Sequence, residues 1–281
     1  MTATKERSGR GSAGRHLRFP VQAAIASATL GALGQADEGT ALLSRLVEFD
    51  PALTLSVMRL ANSPHLGHSR RVASARQAMV LLGTKAVNGL TTSGTAALLL
   101  NDDDASTPSG FWMRSLTTAV ASANVARRVG SSADEAFSAG MLTELGDVLL
   151  QRRQPRVHAE LRAELGAVYD RRMLDVELYE LGRTHTDAAA DQLEQWWFPD
   201  RVVRAVRFHH ERPEALSETL PRVVRCGSAI MTLLHRRGPN DPAMVNEAFA
   251  VFGNGAIRPD AVAAEVETEV VAIAHEVTKP R

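Results

Sequence analysis

The sequence predicts an all-α protein, and three observations lead to this prediction. Ala, the strongest helix former, accounts for 43 of the 281 residues, whereas the chain has only four Ile and two Tyr, which favour strands. Apolar residues recur at helical spacing from Val21 onward. Asp, Ser, Pro and Gly interrupt these segments at positions that suit helix starts and ends. We therefore expect a helical bundle built from two packed halves.

The composition limits the function classes that the chain can serve. Basic and acidic residues both number 32, so the net charge is zero and a strongly basic nucleic-acid binder is not indicated. The single cysteine, Cys226, allows no disulfide framework and no cysteine-based zinc site within the chain, and we interpret it as a buried, inert thiol. No apolar run approaches the roughly 20 residues of a membrane span. These features indicate a cytoplasmic protein with no membrane partner.

The N-terminal part is expected to contain a basic tail and then the first helical half. Residues 1–17 are rich in Gly, Ser and Arg, which predicts a disordered tail, and residues 1–19 carry five Lys or Arg against one Glu. Such a tail is either a solvated segment or a weak contact for nucleic acid, and the neutral chain favours the first interpretation. Residues 18–100 form the first half.

Helix boundaries in this half follow from local signals. Asp50-Pro51 is a helix start, with Asp suited to the N-cap and Pro to the first turn. The helix ends at Asn62-Ser63-Pro64, because Pro cannot continue it. A second helix begins at Ser74 and stops at Gly83.

A polar segment, residues 101–110 (NDDDASTPSG), is interpreted as the linker between the halves. Residues 111–215 form the second half. Within it, Ser132 and Glu135 form a capping box, and the apolar run 136–150 that follows is expected to be helical.

A pair of helices is predicted over residues 174–197. Ala189, Leu193, Trp196 and Trp197 are spaced so that they share one helical face, which predicts that both tryptophans contribute to packing.

Residues 216–281 are predicted to add C-terminal helices. Val262, Val266, Val270 and Ile273 form one apolar face, which suits either packing on the core or a homodimer contact. The expected helices lie near 220–236, 242–251 and 258–276.

A search for catalytic motifs leaves the histidines as the main candidates. His65 and His68 lie in a segment with turn residues, so we interpret them as solvent-exposed rather than metal-bound. His185 is placed at a helix start. His209 and His210 are adjacent, so on a helix they point about 100° apart and only one of them is expected to face the core.

Several segments together resemble the HDOD domain family over roughly residues 18 to 215. The resemblance is carried by an ordered set of motifs, which is more specific than any single one. These are Asp50-Pro51-Ala52-Leu53, Arg59-Leu60-Ala61-Asn62-Ser63, Arg71-Val72-Ala73-Ser74, Ala78-Met79-Val80-Leu81-Leu82-Gly83, Phe111-Trp112, Glu135-Ala136-Phe137, Ala139-Gly140-Met141-Leu142, His185, Trp197-x-Pro199 and His209-His210.

The resemblance implies an all-helical fold similar to that of the HD phosphohydrolases, but a non-catalytic, regulatory role in bacterial signalling through a protein partner. Phosphohydrolases of this fold hold a divalent metal that activates water. Here Arg114 stands where a histidine ligand is expected, and Thr143-Glu144 replaces the His-Asp pair. Because a guanidinium offers no lone pair to a metal, the resemblance implies a non-enzymatic protein without a cofactor.

The remaining imidazoles leave an alternative open. His185, His209 and His210, with Glu144, would be the ligands of a divergent metal-dependent phosphohydrolase or phosphodiesterase. Arg114 with the same imidazoles would alternatively form a cationic pocket for a small anion. A further possibility is that Arg114 forms a structural ion pair with Glu144 in a filled core.

A second candidate surface is the loop from Asn62 to Arg71. Asn62 and Ser63 suit the capping of a helix end, and Arg71 adds positive charge for a partner. As a capping residue, Asn62 is expected to contribute about 1 kcal/mol to stability.

Overall fold

The architecture is that of a helical bundle, described by a computed structural model for residues 21–32, 37–100, 110–165, 171–212, 215–235, 242–253 and 255–278. Every regular element within these ranges is helical, which confirms the predicted all-α class. The predicted basic tail and most of the predicted linker lie outside the described residues. The helices are α1 (Ala23–Ala32), α2 (Asp37–Glu48), α3 (Pro51–Ala61), α4 (Ala75–Leu100), α5 (Phe111–Arg128), α6 (Ala133–Met141), α7 (Leu145–Arg153), α8 (Pro155–Leu165), α9 (Arg171–Leu181), α10 (His185–Gln195), α11 (Asp200–Arg207), α12 (Thr219–His235), α13 (Pro242–Ala250) and α14 (Pro259–Thr278), with a short 3₁₀ helix at Pro64–Leu66.

Local signals set the helix boundaries of the first half as predicted. The buried side chain of Asp50 caps α3 by accepting a hydrogen bond from the backbone N–H of Leu53 at 2.9 Å, and it also accepts one from Gln22 at 2.8 Å. Helix α4 begins after Ser74, and Gly83 interrupts it with a left-handed φ of 74°. This interruption is where the sequence predicted a helix stop.

Helix α5 lies at the centre of the second half and packs closely on α6 and α12. A Cβ atom at Gly140 would lie 2.8 Å from the backbone of Ala119, and one at Gly227 would lie 2.1 Å from Oγ of Ser122. Glycine is therefore needed at both positions for the backbones to approach this closely. One continuous hydrophobic core joins residues of α1 to α7 with those of α10 to α14.

The apolar run 136–150 is two helices rather than one. Helix α6 ends at Met141, a turn covers Leu142, Thr143 and Glu144, and α7 then begins at Leu145. The hydroxyl of Thr143 donates to the carbonyl of Gly140 at 2.8 Å, which holds the turn closed. This break directs Glu144 toward the buried polar cluster described below.

Helix α10 ends two residues before the end of the predicted face. It ends at Gln195, and Trp197 adopts a left-handed φ of 62° in the following turn. Leu193 is fully buried and Trp196 is half-buried, but Trp197 is 45% exposed. The expectation that both tryptophans contribute to packing is therefore wrong for Trp197.

The C-terminal helix α14 packs on the core of its own chain. Val262, Val266, Val270 and Ile273 are all buried, and the helix lies mainly against α5. Their predicted apolar face is thus covered within the chain, which leaves these four side chains no surface for a homodimer. Among the described residues, no helix is both long and apolar enough to cross a membrane.

Candidate functional site

A buried polar network begins at Arg114 on α5. Its Nε donates to Oε2 of Glu144 at 2.6 Å, and its Nη2 donates to Oδ2 of Asp147 at 3.1 Å. All three side chains are almost fully buried. Of the alternatives that the sequence left for Arg114, the structure shows the ion pair with Glu144. With its guanidinium committed to two carboxylates, Arg114 is poorly placed to receive an external anion.

Asp147, on α7, is the branch point of the network. Its Oδ1 accepts hydrogen bonds from Nε2 of His158 at 2.7 Å and from Nε of Arg162 at 3.1 Å, both on α8. Burial is the largest influence on the pKa of Asp147 and raises it. The positive charges of Arg162 and Arg114 and the hydrogen bond from His158 outweigh burial, so the pKa lies well below its usual value.

Arg162 connects this branch to a second acid–base pair. Its Nη2 lies 3.4 Å from Oε1 of Glu177 on α9. Oε2 of Glu177 in turn accepts hydrogen bonds from the backbone N–H and from Nδ1 of His185, at 2.8 and 2.7 Å. Burial opposes the charged form of His185 most strongly, but Glu177 outweighs it, and the pKa of His185 is raised.

The network ends in a cluster of three buried imidazoles, those of His185, His209 and His210. Nε2 of His185 and Nε2 of His209 are 3.4 Å apart. One possible ligand atom from each ring lies within 4.8 Å of the others, and among the described residues this is the one such group of His, Cys, Asp and Glu side chains. Burial lowers the pKa of His209 to about 3 and that of His210 well below its usual value.

The expectation that only one of the adjacent histidines faces the core is wrong. Helix α11 ends at Arg207, and the turn that follows directs both His209 and His210 inward. Nδ1 of His209 donates to the carbonyl of Val206 at 2.6 Å, so a backbone acceptor fixes its tautomer. The helical geometry that predicted opposite directions does not extend to these residues.

Close helix packing places His185 in this cluster. His185 is the first residue of α10, and the hydroxyl of Thr184 caps that helix by accepting from the N–H of Asp187 at 3.1 Å. A Cβ atom at Gly146 would lie 1.8 Å from the carbonyl oxygen of His185. The start of α10 is therefore seated directly on α7, and only glycine allows that approach.

The Nε2 atoms of His185 and His209 face each other, and this arrangement needs a proton or a cation between them. Both Nδ1 atoms donate, one to Glu177 and the other to Val206, so in neutral rings both Nε2 atoms carry lone pairs. Two lone pairs at 3.4 Å repel unless a proton or a cation lies between them. Protonated His185 supplies one solution, and a divalent metal would supply another.

The loop from Asn62 to Arg71 lies elsewhere, and the structure gives it a different character. Asn62 is fully buried, and its amide group donates to the carbonyls of Met58 and Val72 and accepts from the N–H groups of Arg71 and Val72. It therefore anchors the loop and is inaccessible to a partner. Ser63 is half-buried and Arg71 is exposed.

The histidines of this loop lie at its surface: His65 is exposed within the 3₁₀ helix, and His68 is half-buried in the turn after it. The predicted turn is confirmed, and neither residue belongs to the metal-ligating group.

Sequence reasoning missed four members of the network, namely Asp147, His158, Arg162 and Glu177. Two of them offered a weak signal: Asp147 follows Glu144 by three residues, and Glu177 precedes His185 by eight. Nothing in the sequence showed that α8 and α9 fold over α7 and bring a guanidinium between the two carboxylates.

Comparisons with known proteins agree with this architecture. The family model described as HDOD domain matches residues 19–212. An uncharacterized protein of Treponema pallidum is 26% identical over 194 residues, which is 67% of this chain but only 37% of that protein. The chain thus spans little more than a third of the length of this curated relative.

Solved structures with the same fold carry different names. The response regulator MmoQ of Methylococcus capsulatus aligns with a TM-score of 0.67 at 23% identity, covering 88% of this chain and 97% of MmoQ. A protein of Shewanella amazonensis that carries the name of a phosphohydrolase aligns with a TM-score of 0.51 at 19% identity, covering 94% of both chains. At these identities the likenesses show the fold alone.

Proposed function

The chain belongs to the HDOD domain family, a signalling-related domain, and on this premise we propose that it is a non-enzymatic regulatory module that acts by binding a partner. The observation that supports this most directly is the position of Arg114. The resemblance to the family implies that Arg114 stands where a histidine ligand of a phosphohydrolase is expected, and in the structure its guanidinium holds Glu144 and Asp147 by hydrogen bonds.

Chemistry explains why this arrangement opposes hydrolysis. Metal-assisted attack on phosphorus needs a divalent ion with an open coordination position for water and, in this fold, a carboxylate ligand. Glu144 and Asp147 are the carboxylates nearest that role, and both are already paired with guanidinium groups in a buried environment. Their charge is compensated by the protein itself.

A hydrolysis assay tests this proposal. We expect bis(4-nitrophenyl) phosphate to be cleaved no faster by the protein than by its His209→Ala variant, with Mg²⁺, Mn²⁺, Fe²⁺ or Zn²⁺ supplied in turn. The variant is the matched control, because it removes a possible ligand from the imidazole cluster. Metal-dependent hydrolysis that the variant loses would refute the non-enzymatic proposal.

One observation favours a second candidate, a metal-binding protein of the divergent phosphohydrolase type. Two nitrogens bound to one tetrahedral zinc ion at about 2.0–2.1 Å lie about 3.3 Å apart, which matches the 3.4 Å between the Nε2 atoms of His185 and His209. The contacts of their Nδ1 atoms also resemble the outer contacts of metal-bound imidazoles, since one donates to a carboxylate and the other to a backbone carbonyl. His210 would be the third ligand.

Elemental mass spectrometry of the purified protein separates the two candidates. The second candidate predicts about one zinc, iron or manganese per chain that is lost in His185→Ala and in His209→Ala but kept in the exposed control His65→Ala. Metal below a tenth of an equivalent would reject it. Bound metal without hydrolysis would leave the regulatory proposal in place with a structural metal added.

The proposed partner is a protein, and a small anionic ligand is the less favoured form of the same proposal. The alternative of weak nucleic-acid binding through the basic tail concerns residues 1–19, which lie outside the described residues, and it stays a prediction.

A further inference from the structure

An exposed tryptophan stands at a helix end where glycine is normally needed. After α10, the N–H of Trp197 donates to the carbonyl of Glu194, and the N–H of Phe198 donates to the carbonyl of Leu193. This pair of hydrogen bonds defines a common helix ending in which the residue just after the helix cap adopts a left-handed conformation. Trp197 occupies that position with φ 62°. A bulky side chain is strained in this conformation, and glycine is not.

Burial does not compensate this strain, because the Trp197 side chain is 45% exposed. The loop that contacts it is strained as well. Arg70, also at φ 62°, donates its backbone N–H to the carbonyl of Trp197 at 2.9 Å. Strained residues that surrounding contacts hold in place are enriched at binding sites.

Two arginines lie over the tryptophan rings at this helix end. The guanidinium of Arg70 lies 5.7 Å from the ring centre of Trp197, and that of Arg59 lies 4.7 Å from the ring centre of Trp196. Residues 51–100 contain five Arg or Lys and no Asp or Glu. Asp200 pairs with Arg70, whereas Arg59 and the exposed Arg71 form no ion pair with a described residue.

We propose that this surface, which we call the Trp197 surface and define by Arg59, Leu66, Arg70, Arg71 and Trp197, docks an acidic segment of a partner protein. Exposed Trp and Arg are the residue types that dominate the binding energy of protein interfaces. Leu66, which is 44% exposed, adds apolar area on the same loop. Arg70 is already paired with Asp200. The guanidinium groups of Arg59 and Arg71 are therefore the ones that select carboxylates on the partner, and the indole of Trp197 selects an apolar side chain.

The burial of Asn62 fits this assignment. Its four hydrogen bonds fix both ends of the loop, so the loop presents its side chains without first being ordered by the partner. Preorganisation of this kind lowers the entropic cost of association. The proposal rests on the proposed function, because it names the chemistry of the partner that such a module binds.

Selection from a random library of dodecapeptides displayed on phage tests the proposal without a known partner. The full-length protein is the bait, and phage that bind the empty support are discarded by counter-selection. We expect retained peptides to combine several Asp or Glu with at least one Leu, Phe or Trp. Their affinity should fall at least about tenfold in Trp197→Gly and in Arg71→Glu, and should stay within twofold in Tyr179→Ala, an exposed aromatic control.

The glycine variant separates binding from folding. Because glycine suits φ 62°, Trp197→Gly should keep or raise the urea midpoint while it loses the peptide. If its midpoint falls instead, the exposed Arg71→Glu variant decides the result alone.

Three results would overturn the proposal. The first is a selected peptide pool that is basic or uncharged, and the second is a set of peptides that both variants bind as tightly as the wild type does. The third is displacement of a selected peptide by a twelve-nucleotide single-stranded DNA as effectively as by the free peptide, which would assign the surface to nucleic acid. None of these results bears on hydrolysis, so failure of this proposal and failure of the non-enzymatic proposal are distinguished by separate assays.

Discussion

Replacing Arg114 by Met tests the central claim that its guanidinium is the structural cation of a filled site. The substitution keeps much of the side-chain volume but leaves Glu144 buried without the cation that lies 2.6 Å from it. Asp147 retains Arg162 and His158. Removing one partner of a buried pair typically costs about 3–5 kcal/mol, because the remaining charge stays buried and uncompensated. That loss is a large part of the roughly 5–15 kcal/mol that holds a typical protein folded.

Equilibrium urea unfolding measures this loss, and two further variants define its origin. Arg114→Met combined with Glu144→Gln removes both charges, so it should be more stable than the sum of the single changes predicts, by about 1–3 kcal/mol. The control is Arg76→Met, which breaks an exposed pair with Glu48 and should cost less than about 1 kcal/mol. Equal losses for Arg114→Met and Arg76→Met, or additive losses in the double variant, would refute the assignment of Arg114 as the structural cation.

Three further predictions follow from single positions. The pKa of Asp147 is lowered, so its contribution to stability is present above the unfolded-state pKa of about 3.8 and is lost as the pH falls from there toward the lower folded-state pKa. Asp147→Asn should therefore be less stable at pH 7 and should show a flatter loss of stability below about pH 4 in urea unfolding. Asn62→Ala should lower the free energy of unfolding by about 2–3 kcal/mol, because four hydrogen bonds in a buried site are lost. This exceeds the roughly 1 kcal/mol expected for a helix cap, and a measured loss below about 1 kcal/mol would contradict it. Gly146→Ala should lower the melting temperature by several degrees because its Cβ would collide with the carbonyl of His185, whereas Gly89→Ala, on an open helix face, should leave it unchanged or raise it.

The sequence predicted the helices well because their boundaries depend on neighbouring residues. Asp50 and Ser132 cap α3 and α6 as expected, and Gly83 interrupts α4. The failures occurred where a turn replaced a regular helix. The break at Glu144 and the inward direction of both His209 and His210 depend on how packed helices end, which periodicity does not show.

The candidate site was only half predictable for a related reason. Arg114, Glu144 and the three imidazoles could be identified because the resemblance to a known family pointed to them. Asp147 and Glu177 are joined through Arg162, a contact between three helices that no local pattern encodes. Trp197 is a similar case. Its spacing from Leu193 predicted that it would pack on the buried face, but the helix ends before Trp197, so helical spacing does not determine where its side chain lies.

Charge balance decides which of the two proposed functions the buried network favours. Glu144, Asp147 and Glu177 bring three negative charges into the core, and Arg114 and Arg162 return two positive ones. Within the network from Arg114 to His185, the remaining charge matches a single proton on the imidazole cluster. The buried Arg225, whose charge lowers the pKa of His209 and His210, adds positive charge nearby and further opposes a divalent ion. A dication bound there would leave excess positive charge in a buried region whose carboxylates are already paired, and the penalty for uncompensated buried charge is several kcal/mol. Three nitrogen ligands would have to exceed that penalty, so the network is closer to electrical neutrality as a metal-free regulatory core than as a metal centre.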